Sequence, residues 1–115
     1  MQVINGKSNG FIGKDKIYIG RGTKTLDRSV LANQYAISSD GGNRDQVIEL
    51  YRQWLWYQVN IGEGNPNGAF KELLRIARLV KAGNPIILTC WCKPLACHGD
   101  VIVRCVEWMI AKNLV

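Results

Sequence analysis

The feature that most constrains the fold is an apolar run, a cysteine-rich turn and a longer apolar segment in direct succession near the carboxyl end of the sequence. Residues 85–89 predict a buried strand, and residues 100–111 predict a largely buried helix. The turn between them contains three of the four cysteines and the single histidine. In α/β proteins such a turn lies at the carboxyl end of the sheet, where ligands and catalytic groups gather. This turn is therefore the first candidate for a functional site.

The rest of the sequence predicts two further strands and two further helices. Residues 2–5 and 16–20 have the composition of short strands, and residues 7–10 that of a turn. A helix is predicted from Asn43, a capping residue, to about residue 60. A second amphipathic helix is predicted between Phe70 and Val80.

The order of these elements indicates the fold class. Strands separated by helices favour an α/β fold, here a small Rossmann-like domain with a mostly parallel sheet covered by about three helices. A length of 115 residues suits one domain over residues 1–115, since it is too short for a second core. Residues 24–42 predict a long irregular connection that ends in a loop at 38–42, and a linker is predicted at 62–68.

Charge and composition bear on partners and on the cellular compartment. The net charge of +6 favours anionic partners such as a nucleotide or nucleic acid, although much of it lies on what looks like the solvated face of one helix. No apolar stretch approaches the roughly twenty residues of a membrane span, and no signal peptide is recognisable. We therefore expect a cytoplasmic protein without a membrane partner, either a monomer or a homodimer. In a reducing compartment the cysteines are expected to be free thiols or metal ligands.

Positively charged side chains are predicted to converge on the cysteine-rich turn. If strands 16–20 and 86–91 are parallel neighbours, their carboxyl ends place Arg21 close to Cys90 and Cys92. Arg21 stands between two glycines and offers a fork of donors with little structural reason to be there. The free amides at the start of the last helix also favour an anion. Together with Arg44 and Lys93, these groups predict a phosphate or carboxylate site.

The cysteines and the histidine allow three interpretations, which the sequence leaves open. Cys90, Cys92, Cys97 and His98 could bind zinc, although their spacing differs from the usual zinc pattern. Alternatively, Cys97 or Cys90 could be a nucleophile with His98 as acid or base. In the third interpretation these residues are structural, with buried cysteines and a histidine that bonds to the helix end. Asp100 could cap the last helix or orient His98.

Three segments carry a resemblance to a known family. They are Ile17–Gly22, Asn43–Leu55, and Cys90–Pro94 together with Cys97–Ile102. They resemble DUF4326, a domain of unknown function found in bacteria and phages, and the carboxyl-terminal part is more weakly similar to DUF488. The family pattern Leu-Gly-Asn-Pro-Phe stands here as Leu-Ala-Asn-Gln-Tyr at residues 31–35. The resemblance implies no activity but a set of matching positions: Arg21, Asn33, Arg44, Cys90, Cys92, Cys97, His98 and Asp100.

The leading functional hypothesis is a small enzyme or sensor that binds a nucleotide-like or nucleic-acid-derived anion, with a transferase or hydrolase acting on a nucleotide preferred. The ligand-binding residues would be Arg21, Gly22, Asn33, Arg44, Cys92 and Lys93, and the chemistry would come from Cys90, Cys97, His98 and Asp100. Trp91 could stack on a base. The alternative is a non-catalytic, zinc-stabilised module that contacts DNA or RNA. A third hypothesis is a protein-binding surface formed by Trp54, Trp56 and Tyr57.

Overall fold

Three short strands and four helices occur in the residues that the computed structural model describes, which are 1–36, 43–62 and 68–115. Their order along the chain alternates strands and helices much as the sequence predicts. The elements are β1 (Gln2–Asn5), α1 (Gly6–Asn9), β2 (Lys16–Tyr18), α2 (Arg44–Ile61), α3 (Ala69–Lys81), β3 (Ile87–Cys90) and α4 (His98–Ala111).

The sheet is parallel and has β3 at its centre, in the order β1-β3-β2. In this register Leu88 lies opposite Val3 on one side and Ile17 on the other. The predicted adjacency of the strands near residues 16–20 and 86–91 is therefore confirmed, although β2 ends at Tyr18 and β3 at Cys90. All three carboxyl ends meet at one edge of the sheet, and this edge carries the cysteine-rich turn.

The core lies between the sheet and the three long helices α2, α3 and α4. Leu88 at the centre of the sheet is completely buried. Each long helix contributes a buried apolar stripe, as its spacing predicts. Among the fully buried side chains are Tyr51, Leu55, Leu73, Ile76, Ile102 and Met109. The α/β class with about three covering helices is thus confirmed, with the one-turn helix α1 in place of the turn expected at residues 7–10.

The long connections differ in how much of them the structure describes. Residues 24–36 contain no helix or strand, as predicted. The loop predicted at 38–42 and most of the linker predicted at 62–68 lie outside the described residues. Within the described ranges, none of the helices combines the length and the apolar character that crossing a membrane requires.

Helix α4 begins with a cap made by a cysteine. The sulfur of Cys97 accepts a hydrogen bond from the backbone N–H of Gly99 at 3.4 Å, and the carboxylate of Asp100 accepts one from the N–H of Cys97 at 3.3 Å. A Cβ atom at Gly99 would lie 2.7 Å from the Cγ1 atom of Val3 and 2.9 Å from the Cδ1 atom of Ile19. Glycine therefore lets the start of α4 approach the sheet closely, and this approach brings Cys97 to the sheet edge.

Candidate functional site

A cavity of about 490 Å³ opens at the carboxyl edge of the sheet, between β2, β3 and the first turns of α2 and α4. Most of the residues predicted for a functional site lie in its wall. Those that line it are Arg21, Asn33, Arg44, Cys90, Cys92, Cys97 and His98, whereas Gly22, Lys93 and Asp100 are not part of the lining. The edge predicted from the strand order therefore brings two arginines and three thiols to one cavity.

One wall of the cavity is aromatic and is fixed by hydrogen bonds. The Tyr18 hydroxyl donates to the backbone carbonyl of Arg21 at 2.6 Å, and the Trp91 indole N–H donates to the Tyr18 oxygen at 2.9 Å. Phe11 packs against the indole with ring centroids 4.3 Å apart. Trp91 nevertheless remains 46% exposed. A Cβ at Gly20 would lie 2.3 Å from the Tyr18 hydroxyl, so the glycine makes room for this wall.

The side chain of Arg21 has a structural role that the sequence did not indicate. Its Nε–H donates to the carbonyl of Asn33 and its Nη2 donates to the carbonyl of Tyr35, both at 2.9 Å. The amide oxygen of Asn33 in turn accepts from the N–H of Tyr35 at 2.9 Å. The expectation that Arg21 has little reason to be structural was therefore wrong. The same bonds hold the guanidinium in the cavity wall, and Nη1 takes no part in them.

Arg44 is the first residue of α2 and connects that helix to the loop after β3. Its Nη1 donates to the carbonyl of Ala96 at 3.1 Å, and its side chain lines the same cavity as Cys92. Asn43 caps α2 through a 2.9 Å bond from the N–H of Gln46, as the sequence predicts. The start of α2 is thereby fixed, and with it the position of the Arg44 charge.

The three thiols of the cavity differ in acidity because they influence one another and differ in their neighbours. The pKa of Cys97 is raised far above its ordinary value by its interaction with the Cys90 and Cys92 thiols and by burial. The interaction with Cys97 is the largest cause that lowers the pKa of Cys92 to about 6, with Arg44 and Arg21 adding to the effect. It likewise lowers the pKa of Cys90 to about 6, with help from the backbone N–H groups of Lys93 and Cys92.

One negative charge, not two, is expected in this cluster. Two adjacent thiolates would repel each other, so ionisation of one thiol disfavours ionisation of the next. Cys92 has both guanidinium groups beside it, whereas Cys90 is stabilised by backbone amides. Of the two, Cys92 is therefore the thiol with positively charged side chains beside it. Cys90 and Cys97 are each 1% exposed, whereas Cys92 is half-buried.

His98 is held inside the protein by two contacts. Its Nε2 lies 2.7 Å from the carbonyl oxygen of Ile19, so Nε2 carries the proton and donates it. Its Nδ1 is then an acceptor and faces the Cys97 sulfur at 3.6 Å. Burial is the main cause that lowers the pKa of His98, and Arg21 adds to it. These contacts favour the structural interpretation of His98 over the acid–base one.

Lys93 and Asp100 pair with each other at 2.7 Å instead of facing the cavity. This hydrogen bond is the main cause that raises the pKa of Lys93. The predicted helix-capping role of Asp100 is confirmed by its bond to the N–H of Cys97. Of the predicted cationic ligands, Arg21 and Arg44 therefore remain as the cavity charges, and Lys93 is neutralised outside it.

The side-chain geometry does not support the predicted zinc site. Over the described ranges, no group of three or more His, Cys, Asp or Glu side chains is arranged to hold a metal ion. Both ring nitrogens of His98 are already engaged, with Ile19 and with Cys97. The four cysteines are free thiols.

Several lining residues were not predicted from the sequence. Tyr18 and Tyr35 line the cavity, and so do Val47 and Ile48 of α2. Tyr18 is a strand residue that any sheet could use for packing, and Tyr35 lies in the irregular connection, so neither carries a local signal. Val47 and Ile48 belong to the apolar face of α2 that packs on the core, and the cavity lies at the end of that face.

The comparisons with known proteins agree with the family that the motifs resemble. The family model described as a domain of unknown function, DUF4326, matches residues 4–108. The chain is also 34% identical over 71 residues to an uncharacterized 12.4 kDa protein in the nrdA-td intergenic region of Enterobacteria phage T4. This match covers 62% of the chain and 56% of the phage protein, so the chain spans little more than half the length of that relative.

The comparison with solved structures gives no additional relationship, since no solved structure matches the chain significantly. The weaker likeness to DUF488 is not supported by the family match. The DUF4326 match, in contrast, covers most of the chain and includes every candidate site residue from Arg21 to Asp100. The protein therefore belongs to the DUF4326 family.

Proposed function

We propose that this protein binds a nucleotide in the cavity at the carboxyl edge of the sheet and acts on it as a transferase or hydrolase. The observation that carries the proposal is the convergence of Arg21, Arg44 and three cysteine thiols on one cavity with an aromatic wall. A volume of about 490 Å³ is in the range of small-molecule and cofactor sites. The ligand's anionic group would lie between the two guanidinium groups.

The two arginines are suited to a phosphate or carboxylate because they are held in place before a ligand arrives. Arg21 is anchored by two backbone carbonyls and Arg44 by one. A guanidinium fork that is already ordered loses less entropy on binding, and it offers paired donors that match the oxygens of an oxyanion. The backbone carbonyls orient the arginines without neutralising them, in contrast to the carboxylate that pairs with Lys93.

The aromatic wall is suited to a planar base. The Trp91 indole is 46% exposed and is supported by Phe11 and by the Tyr18 hydroxyl. Stacking of a base on an aromatic side chain contributes about 1–3 kcal/mol, and an ordered ring loses little freedom when it binds. A ligand with an anionic group and a flat ring uses both kinds of wall, and this is the chemistry of a nucleotide.

The test is a calorimetric titration with nucleoside monophosphates and triphosphates, made on the wild type and on two arginine variants. Arg44→Gln removes a cavity charge, whereas Arg104→Gln removes an exposed arginine of α4 outside the cavity and is the matched control. We expect Arg44→Gln to weaken binding about tenfold or more, which is the size of a lost charged hydrogen bond. Equal affinities of the two variants, or no binding of any nucleotide, would refute the proposal.

A single-stranded oligonucleotide in the same titration distinguishes the nucleic-acid alternative. Binding of an oligonucleotide across many phosphate contacts weakens steeply as salt increases. A single nucleotide held by two arginines responds much less. Tight oligonucleotide binding with a steep salt dependence, and without nucleotide binding, would favour the non-catalytic nucleic-acid module.

A further inference from the structure

The three thiols at the sheet edge are not equivalent, and their burial and neighbours separate them. Cys90 and Cys97 are each 1% exposed, and the sulfur of Cys97 is engaged in capping α4. Cys92 is half-buried and lines the cavity together with Arg44 and Arg21. Of the three, Cys92 thus combines access from the cavity with positively charged side chains in the same wall.

We infer that Cys92 is a nucleophile that forms a covalent bond with an anionic electrophile whose oxyanion is held by Arg44 and Arg21. This inference rests on the proposed function only for the anion site. The ligand class is a carboxylate or phosphate compound with an electrophilic carbon within reach of the Cys92 sulfur.

The backbone around Cys92 is fixed in a way that suits a nucleophile. The side-chain amide of Asn5 donates to the carbonyl of Trp91 at 3.1 Å and to that of Lys93 at 3.0 Å, the residues on either side of Cys92. The carbonyl of Cys92 itself accepts from the N–H of Leu95 at 2.9 Å. Three successive carbonyls are therefore engaged. A reacting atom that is held this way reaches its target without first ordering a loop.

The charges beside the sulfur serve both reactants. Arg44 and Arg21 favour the thiolate of Cys92 over the thiol, and the thiolate is the reactive form. The same two groups attract the ligand's oxyanion, so the nucleophile and its target are held by the same groups. An oxyanion that approaches Arg44 would meet the Cys92 sulfur next to it, which is the arrangement that proximity in catalysis requires.

Iodoacetate is a suitable probe of this chemistry, because it carries a carboxylate next to an electrophilic carbon. The Cys92 proton is lost to solvent before the reaction. The thiolate sulfur then bonds to the methylene carbon, the carbon–iodine bond breaks, and the electron pair leaves with iodide. The product is an S-carboxymethyl cysteine, with no change in oxidation that needs a further reagent. Iodoacetamide makes the same bond without the negative charge and is the neutral reference.

The experiment measures the alkylation rate of each cysteine by mass spectrometry of peptides, with each reagent, near neutral pH. We expect Cys92 to react first. We also expect its rate ratio of iodoacetate to iodoacetamide to exceed that of N-acetylcysteine by about tenfold, the size of effect that a guanidinium near the carboxylate produces. Arg44→Gln should lower this ratio several-fold, whereas Arg104→Gln should leave it unchanged. Thermal melting of both variants verifies that they are folded.

Two results would overturn the inference. One is faster alkylation of Cys90 or Cys97 than of Cys92 in the folded protein. The other is a rate ratio at Cys92 that is no higher than that of N-acetylcysteine, or one that Arg44→Gln leaves unchanged. The first result would remove Cys92 as the nucleophile, and the second would remove the anion site beside it.

Adding a nucleoside monophosphate separates this inference from the proposed function. If the nucleotide slows carboxymethylation of Cys92, both are supported, because one cavity serves both. If no nucleotide slows a charge-selective reaction at Cys92, the inference is supported and nucleotide binding at this site is not. If nucleotides bind in calorimetry but Cys92 does not react selectively, the inference fails and the proposed function stands.

Discussion

Replacing His98 with Asn tests whether this histidine stabilises the fold and does not act in the cavity. His98 is 7% exposed, and its Nε2 donates to the carbonyl of Ile19, a residue that is completely buried. An Asn side chain is too short to reach that carbonyl, so a buried acceptor loses its donor. Such a loss costs about 1–3 kcal/mol of unfolding free energy. His98→Gln is the matched control, because its amide N–H can take the place of the Nε2 donor.

The same substitution makes a prediction about pH. Burial lowers the pKa of His98 in the folded protein, whereas in the unfolded chain it lies near 6.5. Between these two pKa values the unfolded chain binds more protons than the folded protein does. The contribution of neutral His98 to the free energy of unfolding is therefore complete above pH 6.5 and is lost as the pH falls. The slope is at most about 1.4 kcal/mol per pH unit. Both His98→Asn and His98→Gln should lose this slope.

The assay is urea unfolding followed by tryptophan fluorescence at about pH 5, 6 and 7. The contribution of Cys92 to the pH dependence is expected to be present in all three proteins and cancels when the variants are compared with the wild type. Wild-type stability in His98→Asn would refute the role of the Ile19 bond. A wild-type slope below pH 6.5 in either variant would refute the assignment of that slope to His98.

Three further predictions concern the sheet edge. Gly99→Ala should lower the free energy of unfolding by about 1–3 kcal/mol through overpacking. Gly22→Ala is the control, because its Cβ would have no neighbour closer than 3.5 Å, and it should change the free energy of unfolding by at most ~0.5 kcal/mol. Equal urea midpoints for the two variants would contradict this packing argument. Asn5→Ala removes two hydrogen bonds to the loop after β3 and should speed amide hydrogen exchange there, so unchanged protection would show that these bonds do not hold the loop. The pKa of Cys92 is lowered to about 6 from 9.0, so the free energy of unfolding should rise with pH between these values. Cys92→Ser should flatten that rise when unfolding in urea is measured at several pH values. An unaltered rise would assign the pH dependence to another group.

The helices and strands, and the sheet edge at which they converge, follow from local patterns in the sequence. The local sequence pattern predicts the apolar faces of α2, α3 and α4, the cap at Asn43 and the order of strands and helices, because each depends on residues that are close together in the chain. Parallel strands then require that Arg21 and the cysteines share one edge. The one-turn helix α1 was missed, because four residues are too few for a period to appear.

The role of each side chain at that edge depends on contacts between distant parts of the chain. The bond of His98 to Ile19 joins residues 79 positions apart, and the bonds of Arg21 reach carbonyls 12 and 14 positions away, so no local pattern contains them. The acidity of a thiol depends on burial and on charges that the fold brings near it. For this reason the choice of Cys92 over Cys97 follows from the position of Arg44 and the cap of α4, and not from the spacing of the cysteines.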